Sequence, residues 1–434
     1  MERRCWTIQR IVDSIAHYVY WDEDDPRRPR NTVSLALTSH FIYERTGTLV
    51  WSCQGDLVPL LKCLPKELWV IEYPMTPPGE KPAPRPKFRR QPAGLEWARV
   101  DANARQIRLL CFNMVWHRDN KMPVVRLDPK SCIPVLRSRY AQVPLLPNLE
   151  WLSCTLQRGQ PYEHLELYVS PPLRHLHITT STRAAPEEGD ERVIETLLRG
   201  VVGPNVTEFT FYRVFVPTSS ILSITSIIPG LEHIRIRLPP VGWRRVMLGV
   251  LARLPALEEL ILFDSGNVGG ANGTEIATDE GKFRALKNLS LYVDTFSTGI
   301  PIMRALACAP LESVQVFVCV QPCNYDVTSS TGLAEFFQAC GENRLRHLRN
   351  LNVYQVAEPH GKPSIVNMLM LEPVCRIWRL QRVRLWVPCV FDIDNHDITT
   401  MAQSWPDLRS LHLGLHHRKW EETRINLKGL ESLA

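Results

Sequence analysis

A six-residue pattern, L-x-x-L-x-L with other apolar residues tolerated, recurs along this chain of 434 residues. Successive copies lie 24, 33, 25, 26, 29, 25, 37, 32 and 28 residues apart. A catalytic motif normally occurs once, whereas a pattern repeated at this spacing is typical of an architecture built from repeated units. The ten copies begin at Leu149, Leu173, Val206, Leu231, Leu257, Leu286, Leu311, Leu348, Leu380 and Leu408.

The spacing within each copy predicts one β-strand. Positions 4 and 6 alternate, so both face the core, and position 1 is buried just before the strand. Amphipathic stretches such as "RVIETLLRGV" and "PIMRALACAP" lie between the copies and predict helices. One strand and one helix cannot bury their apolar faces alone, so neighbouring units must stack. The sequence therefore predicts an α/β fold, a leucine-rich-repeat solenoid with a curved parallel sheet and outer helices.

The chain is predicted to have three parts. Residues 1–70 contain none of the repeat and predict a small all-α domain. Residues 71–98 are proline-rich and basic, which is typical of a solvated linker. Residues 99–434 are predicted to form an irregular solenoid of ten to eleven repeats, of which the last, beginning at Leu430, is incomplete.

Position 7 of the repeats is unusually rich in aromatic residues. Six of the ten copies have one there, whereas the overall aromatic content of 8% predicts about one. Positions 3, 5 and 7 are expected to point out along the concave sheet, and aromatic residues near arginine are typical of protein-binding surfaces. Aromatic residues at strand ends also pack under the following loop, so a binding surface and a packing ladder both remain open. The candidate target-binding residues are Arg235, Phe263, Tyr292, Phe317, Tyr354, Arg384 and Trp386.

The N-terminal segment resembles the F-box-like module of leucine-rich-repeat proteins that are abundant in mushroom-forming (basidiomycete) fungi. One matching stretch is "LALTSHF", and a second is the signature "LVPLLKCLPKELW" from Leu57 to Trp69. A third, "LEWARVDANARQIRLL", is similar to the segment that leads into the repeats of that family. The single residues that carry the resemblance are Ile8, Ile11 and Ile15 of an apolar first helix, and Leu35, Ala36, Leu37, Thr38, Phe41, Leu49 and Trp51.

This resemblance implies the substrate-recognition subunit of a Skp–cullin–F-box ubiquitin ligase. The helical module would dock on a Skp-type adaptor, and through it on a cullin, while the repeats hold the target protein. Covalent chemistry would then take place on other subunits, so the chain is not expected to be an enzyme. The adaptor-binding residues that the resemblance implies are Ile8, Ile11, Ile15, Leu35, Leu37, Phe41 and Trp51.

Two alternatives to the ligase role remain open. In the first, the N-terminal helices only cap the solenoid, and the chain is a protein-binding scaffold without adaptor docking. In the second, the chain is an enzyme with a site in the long insertions. No Gly-x-Ser-x-Gly nucleophile elbow occurs, however, and the closest cysteines, Cys319 and Cys323, lack a second pair that would complete a zinc site. Neither a cofactor nor a metal is therefore expected.

Composition predicts the compartment and argues against two classes of partner. The net charge of +6 is too mild to indicate nucleic-acid binding. No run of about 18 apolar residues predicts a membrane span. The first ten residues, "MERRCWTIQR", contain no apolar run of the kind found in signal peptides. We therefore expect a cytoplasmic or nuclear protein.

Overall fold

Each of the ten predicted copies carries a β-strand in the computed structural model of the protein. The chain divides into two compact units, one formed by Met1–Ala184 and Arg192–Val206 and the other by Ala185–Glu191 and Thr207–Ala434. Repeats supply the main parallel sheet of each unit, as the sequence predicts. The structure describes residues 14–15, 33–73, 85–112, 129–156, 165–180, 205–212, 228, 230–237, 247–263, 283–319, 330–342, 345–355, 364–414, 424–426, 429 and 431.

The first unit combines a parallel sheet, ordered β1-β4-β5-β6, with an antiparallel pair of strands, β2 and β3. Its strands are β1 (Cys53–Gln54), β2 (Trp69–Glu72), β3 (Arg85–Phe88), β4 (Leu109–Phe112), β5 (Trp151–Leu156) and β6 (His175–Thr180). Its helices are α1 (His40–Ser52), α2 (Val58–Leu61), α3 (Ala98–Ala104) and α4 (Pro129–Arg139), with 3-10 turns at Lys66–Leu68, Gly94–Trp97 and Leu165–Tyr168.

The second unit holds eight strands in one parallel sheet and two further strands, β13 and β15, that pair with each other. The strands are β7 (Glu208–Tyr212), β8 (His233–Arg237), β9 (Glu259–Phe263), β10 (Asn288–Val293), β11 (Ser313–Val318), β12 (Asn350–Gln355), β13 (Ser364–Asn367), β14 (Arg382–Trp386), β15 (Cys389–Asp392) and β16 (Ser410–Leu413). The helices are α5 (Phe296–Ala305), α6 (Ser330–Glu342), α7 (Met368–Cys375) and α8 (Asn395–Ser404). Among the described helices, none combines the length and the hydrophobicity that a membrane crossing needs.

One hydrogen-bond pattern fixes the register of neighbouring repeats in the second unit. The carbonyl oxygen at position 2 of a repeat accepts from the N–H groups at positions 2 and 3 of the next repeat. For example, the Glu258 carbonyl accepts from Lys287 and Asn288, with both N···O distances at 2.9 Å. The pattern recurs at every step of the sheet from β7 to β16. Equivalent positions of successive repeats therefore stand side by side.

Burial alternates along β10, β11 and β12 as the pattern predicts. In β11, Val314 and Val316 at positions 4 and 6 are fully buried, whereas Phe317 at position 7 is half-buried. Helix α5 packs on the buried side, because a Cβ added to Gly299 would lie 4.0 Å from the Leu291 Cδ1 atom at position 6 of β10. We call the opposite side, which carries positions 3, 5 and 7, the open face.

Two helices on the buried side approach each other so closely that glycine is required. A Cβ atom added to Gly341 of α6 would lie 2.5 Å from the carbonyl oxygen of Pro373 in α7, and 2.8 Å from its Cβ. Real Cβ atoms do not come this close to other heavy atoms, so a side chain here would force the helices apart. Helix α6 also supplies Phe336 and Phe337, both fully buried.

The repeat array begins earlier than the predicted start at residue 99. Strand β1 lies within the predicted all-α domain, residues 1–70, and pairs in parallel with β4, so that Gln54 stands opposite Leu110. The buried Gln54 amide donates to the Val50 carbonyl at 2.7 Å. Strand β4 itself belongs to a copy of the pattern that the sequence prediction omits, "IRLLCF", in which Ile107 and Leu110 are fully buried.

Part of the predicted linker, residues 71–98, is folded. Strand β3 pairs with β2, and the 3-10 turn that follows places the Trp97 side chain in the core. The Trp97 ring meets Phe88 and Tyr140, with centroid distances of 6.5 and 5.8 Å. The structure therefore differs from the linker prediction over residues 85–98, because aromatic residues buried there are anchored by partners distant in sequence. Residues 74–84 lie outside the described residues.

Candidate functional site

Five aromatic side chains form a continuous row across the open face. They occupy position 7 of β9, β10, β11, β12 and β14, and the strand register places each directly opposite the next. Successive ring centroids lie 4.6, 4.5, 4.8 and 5.8 Å apart. We call this row the aromatic ladder; it consists of Phe263, Tyr292, Phe317, Tyr354 and Trp386.

The inner and terminal rings of the aromatic ladder differ in what they can contact. The first three ring pairs are stacked, because the spacing of parallel strands, about 4.8 Å, matches the distance of stacked rings. Tyr292 and Phe317 therefore have a stacked ring on each face, and Tyr354 has one stacked neighbour. Trp386 instead meets Tyr354 at an interplanar angle of 65° and is 42% exposed, the highest value in the ladder. The inner rings form a packing ladder, and Trp386 presents a free aromatic surface.

The two candidate arginines stand far apart on the open face. Arg235 is exposed at position 5 of β8, opposite Ile261. Arg384 is half-buried at position 5 of β14, opposite Asn352 and His412. Five strand spacings separate them, which is about 24 Å. They therefore cannot hold the same group of a bound molecule.

Two of the candidate adaptor-binding residues lie on either side of Ser39, the residue that caps the N-terminal end of α1. Ser39 caps this helix by accepting from the Ile42 N–H at 3.2 Å, so Leu37 precedes the cap and Phe41 follows it. Leu37 is 76% exposed and Phe41 45%. Tyr43 is also exposed there, although the sequence analysis does not single it out. We call Leu37 and Phe41 the helix-cap patch.

Of the other predicted adaptor residues, Trp51 lies away from the helix-cap patch. Trp51 is half-buried at the far end of α1, ten residues or about 15 Å from Phe41 along the helix. Leu35 is half-buried and Ile15 is exposed. Ile8 and Ile11 lie outside the described residues.

Arg382 is a further residue of the candidate surface that the predicted set omits. It stands at position 3 of β14, two residues before Arg384, and its side chain is exposed. The signal for it was the two-residue period of the strand, which places both arginines on the same face.

The buried thiols of the core are unsuited to nucleophilic chemistry. Burial raises the pKa of Cys154 and of Cys340 to about 12, so both thiols are protonated at neutral pH. Within the described ranges, no three His, Cys, Asp or Glu side chains converge as ligands of a metal ion would. Among the described residues, the open face is therefore the best-supported candidate for a functional site.

Comparison of the sequence with protein-family models and with curated proteins gives no match. Among solved structures, the leucine-rich repeat-containing protein LegL7 from Legionella pneumophila is similar, with 12% sequence identity, a TM-score of 0.32, and coverage of 60% of this chain and 90% of its own. A protein from Bacteroides fragilis is similar at 12% identity and a TM-score of 0.26, covering 59% of this chain and 75% of its own. Likenesses this weak support no inference about function. The leucine-rich-repeat architecture rests on the pattern, register and burial described above.

Proposed function

We propose that this chain is a leucine-rich-repeat receptor that binds a partner protein on the open face of its second unit. The observation that carries this proposal is the aromatic ladder, which ends in the exposed ring of Trp386 beside Arg384. Tryptophan, tyrosine and arginine are the residues that most often dominate binding energy at protein interfaces. An exposed tryptophan ring on a rigid sheet also loses little conformational entropy on binding.

The terminal rings are the most informative positions for a test of this proposal. Phe263 and Trp386 each have one ring neighbour in the ladder, so their removal disturbs the ladder less than removal of an inner ring. The inner rings support the sheet, so their removal could weaken binding simply because it destabilises the fold.

We expect the double variant Phe263→Ala, Trp386→Ala to weaken partner binding by about tenfold or more, which corresponds to about 1.4 kcal/mol. Peptides selected from a random displayed library on the full chain supply the ligands, and calorimetry measures their Kd. Trp378→Ala is the matched control, because Trp378 is 51% exposed but lies before β14 rather than on its open face. Selected peptides that bind the double variant as tightly as the wild type would contradict the proposal.

A second candidate function, the substrate-recognition subunit of a Skp–cullin–F-box ubiquitin ligase, is favoured by the helix-cap patch. An exposed leucine and an exposed phenylalanine on either side of the helix cap offer apolar surface that a helical adaptor would cover. In this role the N-terminal segment docks on the adaptor, and the open face holds the protein to be ubiquitinated. Without adaptor docking, the chain is a protein-binding scaffold.

We expect Leu37→Glu, Phe41→Glu to reduce the affinity for a purified fungal Skp-type adaptor by about 100-fold or more, because two charges would be buried at the contact. Leu95→Glu is the matched control, since Leu95 is 92% exposed in the 3-10 turn before α3. Isothermal titration calorimetry on the full chain measures both. If the wild-type chain does not bind the adaptor, or if all three proteins bind it alike, the ligase role is wrong.

A further inference from the structure

We infer that the end of the open face formed by β12, β14 and β16 binds a short acidic segment of the partner protein. This inference rests on the proposed receptor function and specifies the chemistry of the partner. It follows from the residues that the three strands present, from the charge of the neighbouring repeats, and from the width of the surface.

Strand β14 places two arginines and one tryptophan on the open face. Val383 and Leu385 between them are buried, so Arg382, Arg384 and Trp386 all project to the other side. Within the described residues, neither guanidinium forms an ion pair, and the buried Nε atom of Arg384 has no hydrogen-bond partner. Neither guanidinium is therefore engaged by an acidic side chain of the described residues, so both can pair with an incoming carboxylate.

The strands on both sides of β14 add hydrogen-bond donors to the two arginines. Register places Arg382 between Asn350 of β12 and Ser410 of β16. The same register places Arg384 between the Asn352 amide and the His412 imidazole.

Amide, hydroxyl and imidazole groups can all donate hydrogen bonds to a carboxylate. Positions 3, 5 and 7 of these three strands include no acidic residue. An anionic group bound at these positions would meet hydrogen-bond donors from three strands and no acidic side chain at positions 3, 5 or 7.

The edge where these strands begin is also basic. Arg349 and Arg409, at position 2 of the β12 and β16 repeats, are both exposed and flank Gln381 of the β14 repeat. The three repeats thus carry two arginines on the open face and two at this edge, where Asp407 is also exposed. Arginine binds carboxylates through two parallel hydrogen bonds, which makes it well suited to acidic side chains.

The preceding repeats of the same sheet carry several carboxylates beside basic groups such as Arg235. Glu232, Glu258 and Glu312 occupy position 2 of the repeats of β8, β9 and β11, and Glu259 lies at position 3 of β9. Lys287 partly offsets them through its ion pair with Glu258, in which the N···O distance is 2.6 Å. An anion that extended beyond β12 along the edge where the strands begin would meet Glu312 next, which favours a short acidic stretch in the ligand.

The width of the basic surface sets the length of that stretch. Three neighbouring strands span two spacings, or about 10 Å, which matches about three residues of an extended peptide. Trp386, at the end of β14, can cover an apolar or aromatic side chain beside the acidic residues. A nucleic acid fits less well, because its long phosphate backbone would run past the three strands toward Glu312 and Glu259, and because the net charge of the chain is only +6.

Fluorescence anisotropy on the full chain tests this inference. The probe is a fluorescein-labelled eight-residue peptide that contains three consecutive acidic residues and one phenylalanine. We expect binding that weakens as added salt shortens the Debye length below about 10 Å. The same peptide with amides in place of the acids should bind about tenfold more weakly or worse, and Arg382→Gln, Arg384→Gln should reduce the affinity for the acidic peptide by a similar factor.

Two control variants separate charge, geometry and folding. Arg99→Gln, Arg105→Gln removes the same charge from exposed positions in the first unit and should leave binding unchanged. Arg382→Lys, Arg384→Lys keeps the charge but loses the paired hydrogen bonds. Its affinity for the acidic peptide should therefore lie between the affinities of the wild type and of the glutamine variant. Circular dichroism during thermal unfolding establishes that each variant is folded.

Three results would overturn the inference. They are equal binding of the acidic and amide peptides, an unchanged affinity in Arg382→Gln, Arg384→Gln, and tighter binding of an eight-nucleotide oligothymidylate than of the acidic peptide. If library-selected peptides bind the open face but do not respond to these arginines, the receptor function stands and only the acidic specificity is wrong. If neither kind of peptide binds, both proposals are wrong.

Discussion

Replacement of Phe317 by alanine should lower the free energy of unfolding by about 3 kcal/mol. The Phe317 ring is stacked between Tyr292 and Tyr354, with centroid distances of 4.5 and 4.8 Å. Each stacked pair contributes about 0.5–1.5 kcal/mol beyond the burial of its area, and the half-buried ring adds its own transfer free energy. Chemical denaturation followed by circular dichroism measures the change.

Two variants separate ring stacking from simple burial. Phe317→Leu keeps most of the apolar volume but removes the ring, so we expect a loss of about half that of Phe317→Ala. Trp386→Ala removes a ring that has one edge-on neighbour and is 42% exposed, and should cost about 1 kcal/mol or less. Equal losses for Phe317→Ala and Trp386→Ala would show that the inner rings do not support the sheet.

Replacement of Gly341 by alanine should destabilise the second unit by about 2 kcal/mol. The new methyl group would overlap the carbonyl oxygen of Pro373, which belongs to the backbone of α7 and cannot rotate away as a flexible side chain would. The helices must therefore separate, and the buried contacts between them weaken. Thermal unfolding followed by circular dichroism measures the loss.

Gly249→Ala is the matched control for this substitution. Gly249 lies in the helical segment 247–251, and a Cβ added there meets no atom within 4 Å. Alanine should therefore stabilise the chain by about 0.5–1 kcal/mol through its higher helix propensity. A loss of stability in Gly341→Ala together with a gain in Gly249→Ala would confirm that the close approach of α6 and α7 requires glycine at position 341. A gain of stability in both variants would mean that α6 can move away from α7 at little cost.

The strands were predictable from sequence because each carries its own signal. Every repeat must bury positions 1, 4 and 6, so the leucine pattern gives both the strand and the face that it buries. The same pattern predicts the aromatic residues at position 7 on a common row of the open face. The omitted repeat at Ile107 carries this signal too, with Phe112 at position 6.

Other parts of the fold depend on contacts between distant residues and leave no local pattern. Gln54 is polar, yet it holds a buried position in the sheet because its amide donates to Val50 at the end of α1. Trp97 is buried by Phe88 and Tyr140, which local proline and charge content could not indicate. The stacking of the aromatic ladder likewise depends on the register of five strands. From the sequence, only the place of these residues in one row could be predicted.

Because the position-2 hydrogen bonds set the register, the place of a strand in the sheet does not depend on the length of its repeat. The repeats from β10 to β14 begin 25, 37 and 32 residues apart, yet Leu289, Val314, Leu351 and Val383 share one register. Lengthening a connection from 25 to 37 residues costs only about 0.3 kcal/mol of loop-closure entropy. During evolution, such a chain can gain or lose whole loops and still keep its framework, so new partner contacts can arise without a new fold.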